Sequence, residues 1–100
     1  MRESLIETAL KRRVCALGGK TFKFTSPGVK GVADQIVILP PDPTSPRRRR
    51  AGPKIIFVEV KRKGKKPGVH QLDFHRELTR MGCHTAIVDS LESIEEVLGC

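Results

Sequence analysis

Two charges close an apolar run in the middle of the chain, Ile55-Ile56-Phe57-Val58-Glu59-Val60-Lys61. Side chains alternate across a strand, so Glu59 and Lys61 project to the same face, roughly 7 Å apart at about 3.3 Å per residue. A carboxylate and an ammonium then share one site at the end of a strand whose first half reads as buried on both faces, where an unpaired ion is costly. A strand simply emerging into solvent would also explain the pair. Asp34 tips the balance, because a second acid opens the preceding apolar run, Asp34 to Leu39. Two carboxylates and a lysine are the groups from which metal-assisted phosphodiester hydrolysis is built: oxygen ligands for a hard cation, and a positive charge to orient water or offset charge on phosphate.

The intervening segment decides whether these residues meet. Residues 40–53 hold Pro40, four further prolines and the run Arg47, Arg48, Arg49, Arg50. Such a stretch cannot pair as a sheet and reads as a flexible basic loop. If it returns the chain as a hairpin, the flanking strands are antiparallel, and the start of one lies beside the end of the other. Asp34 then neighbours Glu59 and Lys61.

The remaining elements must hold that end of the sheet in place. From Glu3 to Leu17 the residues Leu5, Ile6, Ala9, Leu10, Val14 and Leu17 recur at helical spacing, and Gly18-Gly19 ends the helix. Ser4-Leu5-Ile6-Glu7 matches a capping box, whereas Glu3 is favoured only by the helix dipole; either acid could lean toward a metal. Lys20 to Phe24 alternates as a short strand presenting Lys23, and Thr25 to Gly31 is a loop whose glycines permit close backbone approach and whose Ser26 and Lys30 could grip a phosphate.

Past the central strand, Arg62 to Gly68 is a basic loop carrying Lys63, Lys65 and Lys66, and Pro67 can open the next helix. Gln71, Phe74, Leu78 and Met81 mark one face of it, flanked by Leu72 and His75; Gln71 reads either as a solvated residue of the first turn or as a polar group facing the cleft that holds Lys61. Thr85 to Val88 is a last strand, reached through a helix and so parallel to the central one by a right-handed crossover. Asp89-Ser90-Leu91-Glu92 resembles a second capping box, opening a short helix marked by Leu91, Ile94, Val97 and Leu98.

Composition bounds the partners. One hundred residues suit a single domain, here 1–100, and a formal charge of +8 with pI near 9.9 favours a polyanion. With four Phe and no Trp or Tyr, a binder built on aromatic stacking is poorly supported. Cys15, Cys83 and Cys100 are too few and too scattered for a disulfide framework or a zinc knuckle, and His70, His75 and His84 lack metal-ligand spacing. A reducing compartment is expected. No signal peptide is evident, and no apolar run approaches the roughly 20 residues of a membrane span.

The order helix, three-strand meander, helix, strand, with Asp34, Glu59-Val60-Lys61 and an acid in the first helix, resembles the PD-(D/E)XK nuclease superfamily. Gly18-Gly19, Lys23-Phe24-Thr25-Ser26-Pro27-Gly28, Gly31-Val32-Ala33-Asp34, Phe57 to Lys61 and Gln71 are more closely similar to the VRR-NUC domain in its standalone form, found in phages and bacteria. Ala33 stands where that family usually has Pro, and Gln35 where it often has a basic residue; the proline only presets the backbone. The resemblance implies an α/β fold with a mixed α+β, restriction-endonuclease-like core of order α-β-β-β-α-β-α, its four-stranded sheet flanked by helices.

It further implies a DNA endonuclease using Mg²⁺ or Mn²⁺ held by Asp34, Glu59 and the Val60 carbonyl. Lys61 would act on water or phosphate, Gln71 would position Lys61, phosphate or water, and Glu3 would reach the metal through water, with Glu7 in reserve. Structured DNA such as a Holliday junction, a homodimer and a location in the host cytoplasm are implied as well. The expected DNA contacts are Lys23, Ser26, Lys30, Arg47, Arg48, Arg49, Arg50, Arg62, Lys63, Lys65 and Lys66. Two rival readings stay open: a non-catalytic basic nucleic-acid-binding module on the same fold, and an RNA-directed nuclease, since gripping phosphate does not detect a 2′-hydroxyl.

Overall fold

The computed structural model describes residues 2–26, 28–29, 31–41 and 53–99. Residues 42–52 of the expected basic loop, with Arg47 to Arg50, and Lys30 lie outside them.

Helix α1 (Glu3–Ala16) forms where Ile6, Leu10 and Val14 recur every four residues, and all three are buried. It stops at Gly18, whose φ of 83° is open to glycine at little cost. Strands β1 (Lys20–Lys23), β2 (Gln35–Leu39) and β3 (Lys54–Val60) follow, then α2 (Val69–Arg80), β4 (His84–Val88) and α3 (Leu91–Leu98). The element order is the expected α-β-β-β-α-β-α. The sheet runs β1-β2-β3-β4; its first two pairings are antiparallel and β3-β4 is parallel. Crossing through α2 is what allows the parallel pair, since a tight turn can only reverse the chain.

Alternation sorts the sheet into two faces. Val37 and Leu39 of β2 and Ile56, Val58 and Val60 of β3 join Ile6, Leu10 and Val14 of α1 and Ile94 and Leu98 of α3 in one buried core. An Arg13–Glu95 ion pair at 2.7 Å ties α1 to α3 at its rim. Phe57 and Glu59 face the other way. There Phe57 packs with Phe24 and with Phe74 of α2, ring centroids 6.0 to 6.4 Å apart, in tilted and edge-on arrangements that aromatic pairs favour. This second face is less completely covered: Ile55 is half exposed, so the strand is not buried on both faces along its whole length.

Several local expectations are corrected. The Ser4–Glu7 capping box does not form: α1 begins after Arg2 without a side-chain cap, and Ser4 lies inside the helix, its carbonyl accepting from the Thr8 hydroxyl. Glu7 instead accepts from Gln35, whose buried amide needs a partner more than an exposed helix end does. The last helix is capped by Ser90, not Asp89: Ser93 N–H donates to Ser90 Oγ, and Ser93 Oγ accepts from Ser90 N–H. Helix α2 starts at Val69 behind Gly68, and Met81, just past its end, is 64% exposed and not part of an inward stripe. His75 takes the buried place.

Candidate active site

The site lies where β2 begins and β3 ends. Gln35 pairs with Val58, so the antiparallel register carries Asp34, one residue before β2, alongside Glu59. A hydrogen bond fixes the junction: Val60 N–H donates to Asp34 Oδ2 at 2.9 Å. The residues expected to converge from the two apolar runs therefore do.

Glu59 is the buried member, with 1% of its surface exposed. Its Oε2 accepts from Gln71 Nε2 at 2.6 Å and sits 3.3 Å from Lys61 Nζ, while Oε1 is buried with no hydrogen-bond partner among the described residues. Burial, and then the neighbouring Asp34 carboxylate, push the Glu59 carboxyl up to about 7; Lys61 pulls against both and does not cancel them. One carboxyl is thus held close to neutrality beside a second acid and a lysine.

The first turn of α2 orients Gln71. Its Oε1 accepts the Gly68 backbone N–H at 2.8 Å, which leaves only the amide NH₂ to face Glu59. The N-cap of α2 therefore decides which end of Gln71 meets the carboxylate. The loop before Asp34 is locked to the same turn. Gly31 has φ 80°, and a Cβ there would fall 2.3 Å from the His70 carbonyl carbon and 2.7 Å from the Gln71 nitrogen. Its close approach serves helix packing, so the loop's glycine holds Asp34's backbone against α2. The local sequence around Gly31 carries no signal of this partner.

The other expected residues divide. Glu3 is exposed at the start of α1 and makes no hydrogen bond or ion pair among the described residues, whereas Glu7 is engaged with Gln35 at 2.9 Å. Lys23 is exposed at the end of β1, next to the register position of Gln35, and the Ser26 carbonyl accepts the Val29 N–H in the loop that follows. Arg62, Lys63, Lys65 and Lys66 are exposed in the β3–α2 connection, turned by a hydrogen bond from Lys65 N–H to the Arg62 carbonyl. Arg2, unnoticed in the sequence, borders the same connection. His75 is buried with Nε2 unpartnered, and burial holds its imidazole below the usual range, which suits a packed neutral ring.

Among the described residues no three His, Cys, Asp or Glu side chains gather closely enough to hold a metal. What the site offers is a pair of carboxylates, an unsatisfied oxygen, and a lysine. None of its side chains is a thiol or imidazole, so its preference is for hard oxygen-seeking cations and for phosphate. No helix among the described residues is long and apolar enough to cross a membrane.

No protein-family model matches the sequence. The chain is 40% identical over 90 residues to "Putative nuclease p44" of Acyrthosiphon pisum secondary endosymbiont phage 1, covering 90% of this chain and 85% of that protein. It is also similar to a solved structure described as "VRR_NUC domain", with a TM-score of 0.77 and 32% identity over 96% of this chain and 92% of the other.

Proposed function

This chain belongs to the VRR-NUC family of nucleases, and from that premise we propose that it is a divalent-metal-dependent endonuclease hydrolysing DNA phosphodiester bonds. The observation that carries the reading is Glu59 beside Asp34, with a buried oxygen to which no described residue donates a hydrogen bond. Burying one acid against another is unfavourable unless a positive charge joins them, and Lys61 reaches only one of the Glu59 oxygens. The donor set fits Mg²⁺ or Mn²⁺: Asp34, Glu59 and the Val60 carbonyl would hold the ion, since Mg²⁺ is commonly bound by one or two carboxylates together with water and substrate phosphate. When bound, it supplies Lewis acidity toward the scissile phosphate and a water of lowered pKa.

The chain's own residues do the positioning. Val60 N–H fixes Asp34, and Gln71, itself fixed by Gly68, fixes Glu59. Lys61 offsets negative charge developing on the phosphate or orients the attacking water. Glu7 is better supported than Glu3 as the acid of α1, because its bond to Gln35 ties it to the residue beside Asp34. Lys23, Ser26 and the Arg62 to Lys66 connection grip flanking phosphates, and Lys30 with Arg47 to Arg50 adds positive charge. Branched DNA such as a Holliday junction is the preferred substrate, cut by a homodimer in the cytoplasm of a bacterial host.

The test incubates supercoiled plasmid and branched DNA, with matched RNA strands, in Mg²⁺ or Mn²⁺ with wild type, Glu59→Ala and Lys61→Ala. Nicking of DNA by wild type alone, abolished by EDTA, is expected. Binding by all three without nicking would replace the enzyme with a nucleic-acid-binding module, and cleavage of RNA alone would change the substrate.

A further inference from the structure

Directly after Lys61 the chain builds a second feature. Arg2 and Leu5 from the start of α1 and Arg62, Lys63, Lys65 and Lys66 from the β3–α2 connection line an open cleft of about 880 Å³. No acidic side chain lines it, although Glu3 lies in the same helical turn. None of the five cations makes an ion pair or side-chain hydrogen bond among the described residues, in contrast to Arg13 and Arg76, which are paired with Glu95 and Asp73. Leu5 is more than half exposed within this charged surround.

Five like charges facing one space repel one another, and folding gains nothing by gathering them. Four of them are the basic run of the β3–α2 connection, and the fold adds Arg2 and Leu5 from the distant start of α1, so the cleft is completed by tertiary structure. A cleft of this size and openness exceeds what a single phosphate would need, whereas successive phosphates of a strand can engage separate cations while a sugar face rests on Leu5. We propose that this cleft is a backbone-binding track, holding the phosphates of the nucleic-acid strand that flank the scissile phosphate on one side. It rests on the nuclease reading for what the neighbouring site does. It adds Arg2 and Leu5 to the binding surface and assigns one flank of the substrate to the α1 side of the Asp34–Glu59 pair.

The test is binding of a fluorescent duplex of about 20 base pairs in EDTA, so that no cleavage is required. Each phosphate neutralised on B-DNA contributes about 0.9 to the slope of log affinity against log salt. The triple variant Arg2→Ala, Lys63→Ala, Lys65→Ala should therefore lower that slope by about 2 to 3. Lys11→Ala with Arg12→Ala, on exposed α1 positions outside the cleft, should leave it nearly unchanged. Ethylation of phosphates then locates the contact: the triple variant should become indifferent to ethylation along a contiguous run on one flank only of the scissile phosphate. Equal slope losses in the two variants, or relief spread over both flanks, would show diffuse attraction and overturn the track. If wild type binds in this pattern but never nicks DNA with metal, the track stands and the nuclease reading falls; if wild type nicks while the triple variant keeps its slope, the reverse holds.

Discussion

Replacing Glu59 by Gln should make the metal-free protein more stable at alkaline pH, although it removes a residue of the proposed active site. Burial and Asp34 raise the carboxyl from an ordinary 4.5 to about 7. A folded-state value above that of the unfolded chain means that the contribution to stability is fully present below about pH 4.5 and is lost as pH rises through 7. With about 1.4 kcal/mol for each tenfold change in a protonation equilibrium, ionised Glu59 costs the fold about 3 kcal/mol at pH 8 and above. Gln keeps the shape and can still accept from Gln71, and Lys61 can turn its ammonium to solvent.

Urea denaturation of both proteins in EDTA from pH 5 to pH 8.5 measures this. The variant's advantage over wild type should be smallest at pH 5 and grow by about 2 to 3 kcal/mol across the range. His75 works in the opposite sense, its lowered value contributing stability above the usual 6.5 that is lost on acidification. It is present in both proteins and cancels in the difference. A difference that stays flat with pH would refute the argument, because Glu59 would then ionise in the fold as freely as in the open chain. Mg²⁺ in tenfold excess over its Kd should return about 1.4 kcal/mol to wild type at pH 8 and markedly less to Glu59→Gln.

Gln71→Ala removes the donor to Glu59 Oε2 and the acceptor for Gly68 N–H; activity should fall about ten- to a hundredfold, as when the partner of a metal-ligating group is lost, and the acidic limb of the pH–rate profile should move upward because the carboxylate loses support. Gly31→Ala puts a Cβ 2.3 Å from the His70 carbonyl carbon at a left-handed φ, and a loss of about 2 kcal/mol or more is expected from the urea midpoint. Leu10→Ala, at a fully buried position under the sheet, should cost about 2 to 5 kcal/mol by the same measurement without altering the pH dependence assigned to Glu59.

Much of the placement of Asp34 against Glu59 was legible because it follows from topology: two apolar runs joined by a segment unable to pair meet antiparallel if that segment returns the chain as a hairpin, and the register does the rest. Gln71 was legible for a similar reason, being in the first turn of a helix that starts near the end of β3. What escaped was settled by competition between partners. Ser4 and Glu7 satisfy the pattern of a cap, yet α1 is positioned by Ile6, Leu10 and Val14 under the sheet, and the buried Gln35 amide takes Glu7. No local pattern contains the information that residue 35 would be buried opposite residue 7. Arg2 and the β3–α2 connection likewise meet only through the fold.

The buried carboxylate itself marks function more firmly than any motif. Position 59 is on a central strand between Val58 and Val60, both buried, and an apolar side chain there would avoid the desolvation and the repulsion from Asp34 that together raise the carboxyl. The protein nevertheless surrounds Glu59 with costly polar company: a glutamine held by a helix cap, a lysine, and a second acid locked to the next backbone amide. Packing alone has no use for such an arrangement, and Lys61 leaves one oxygen unanswered. Charge held at a disadvantage and kept from relaxing is suited to something positive arriving from outside, and the stability cost expected above pH 7 is the measurable trace of that preparation.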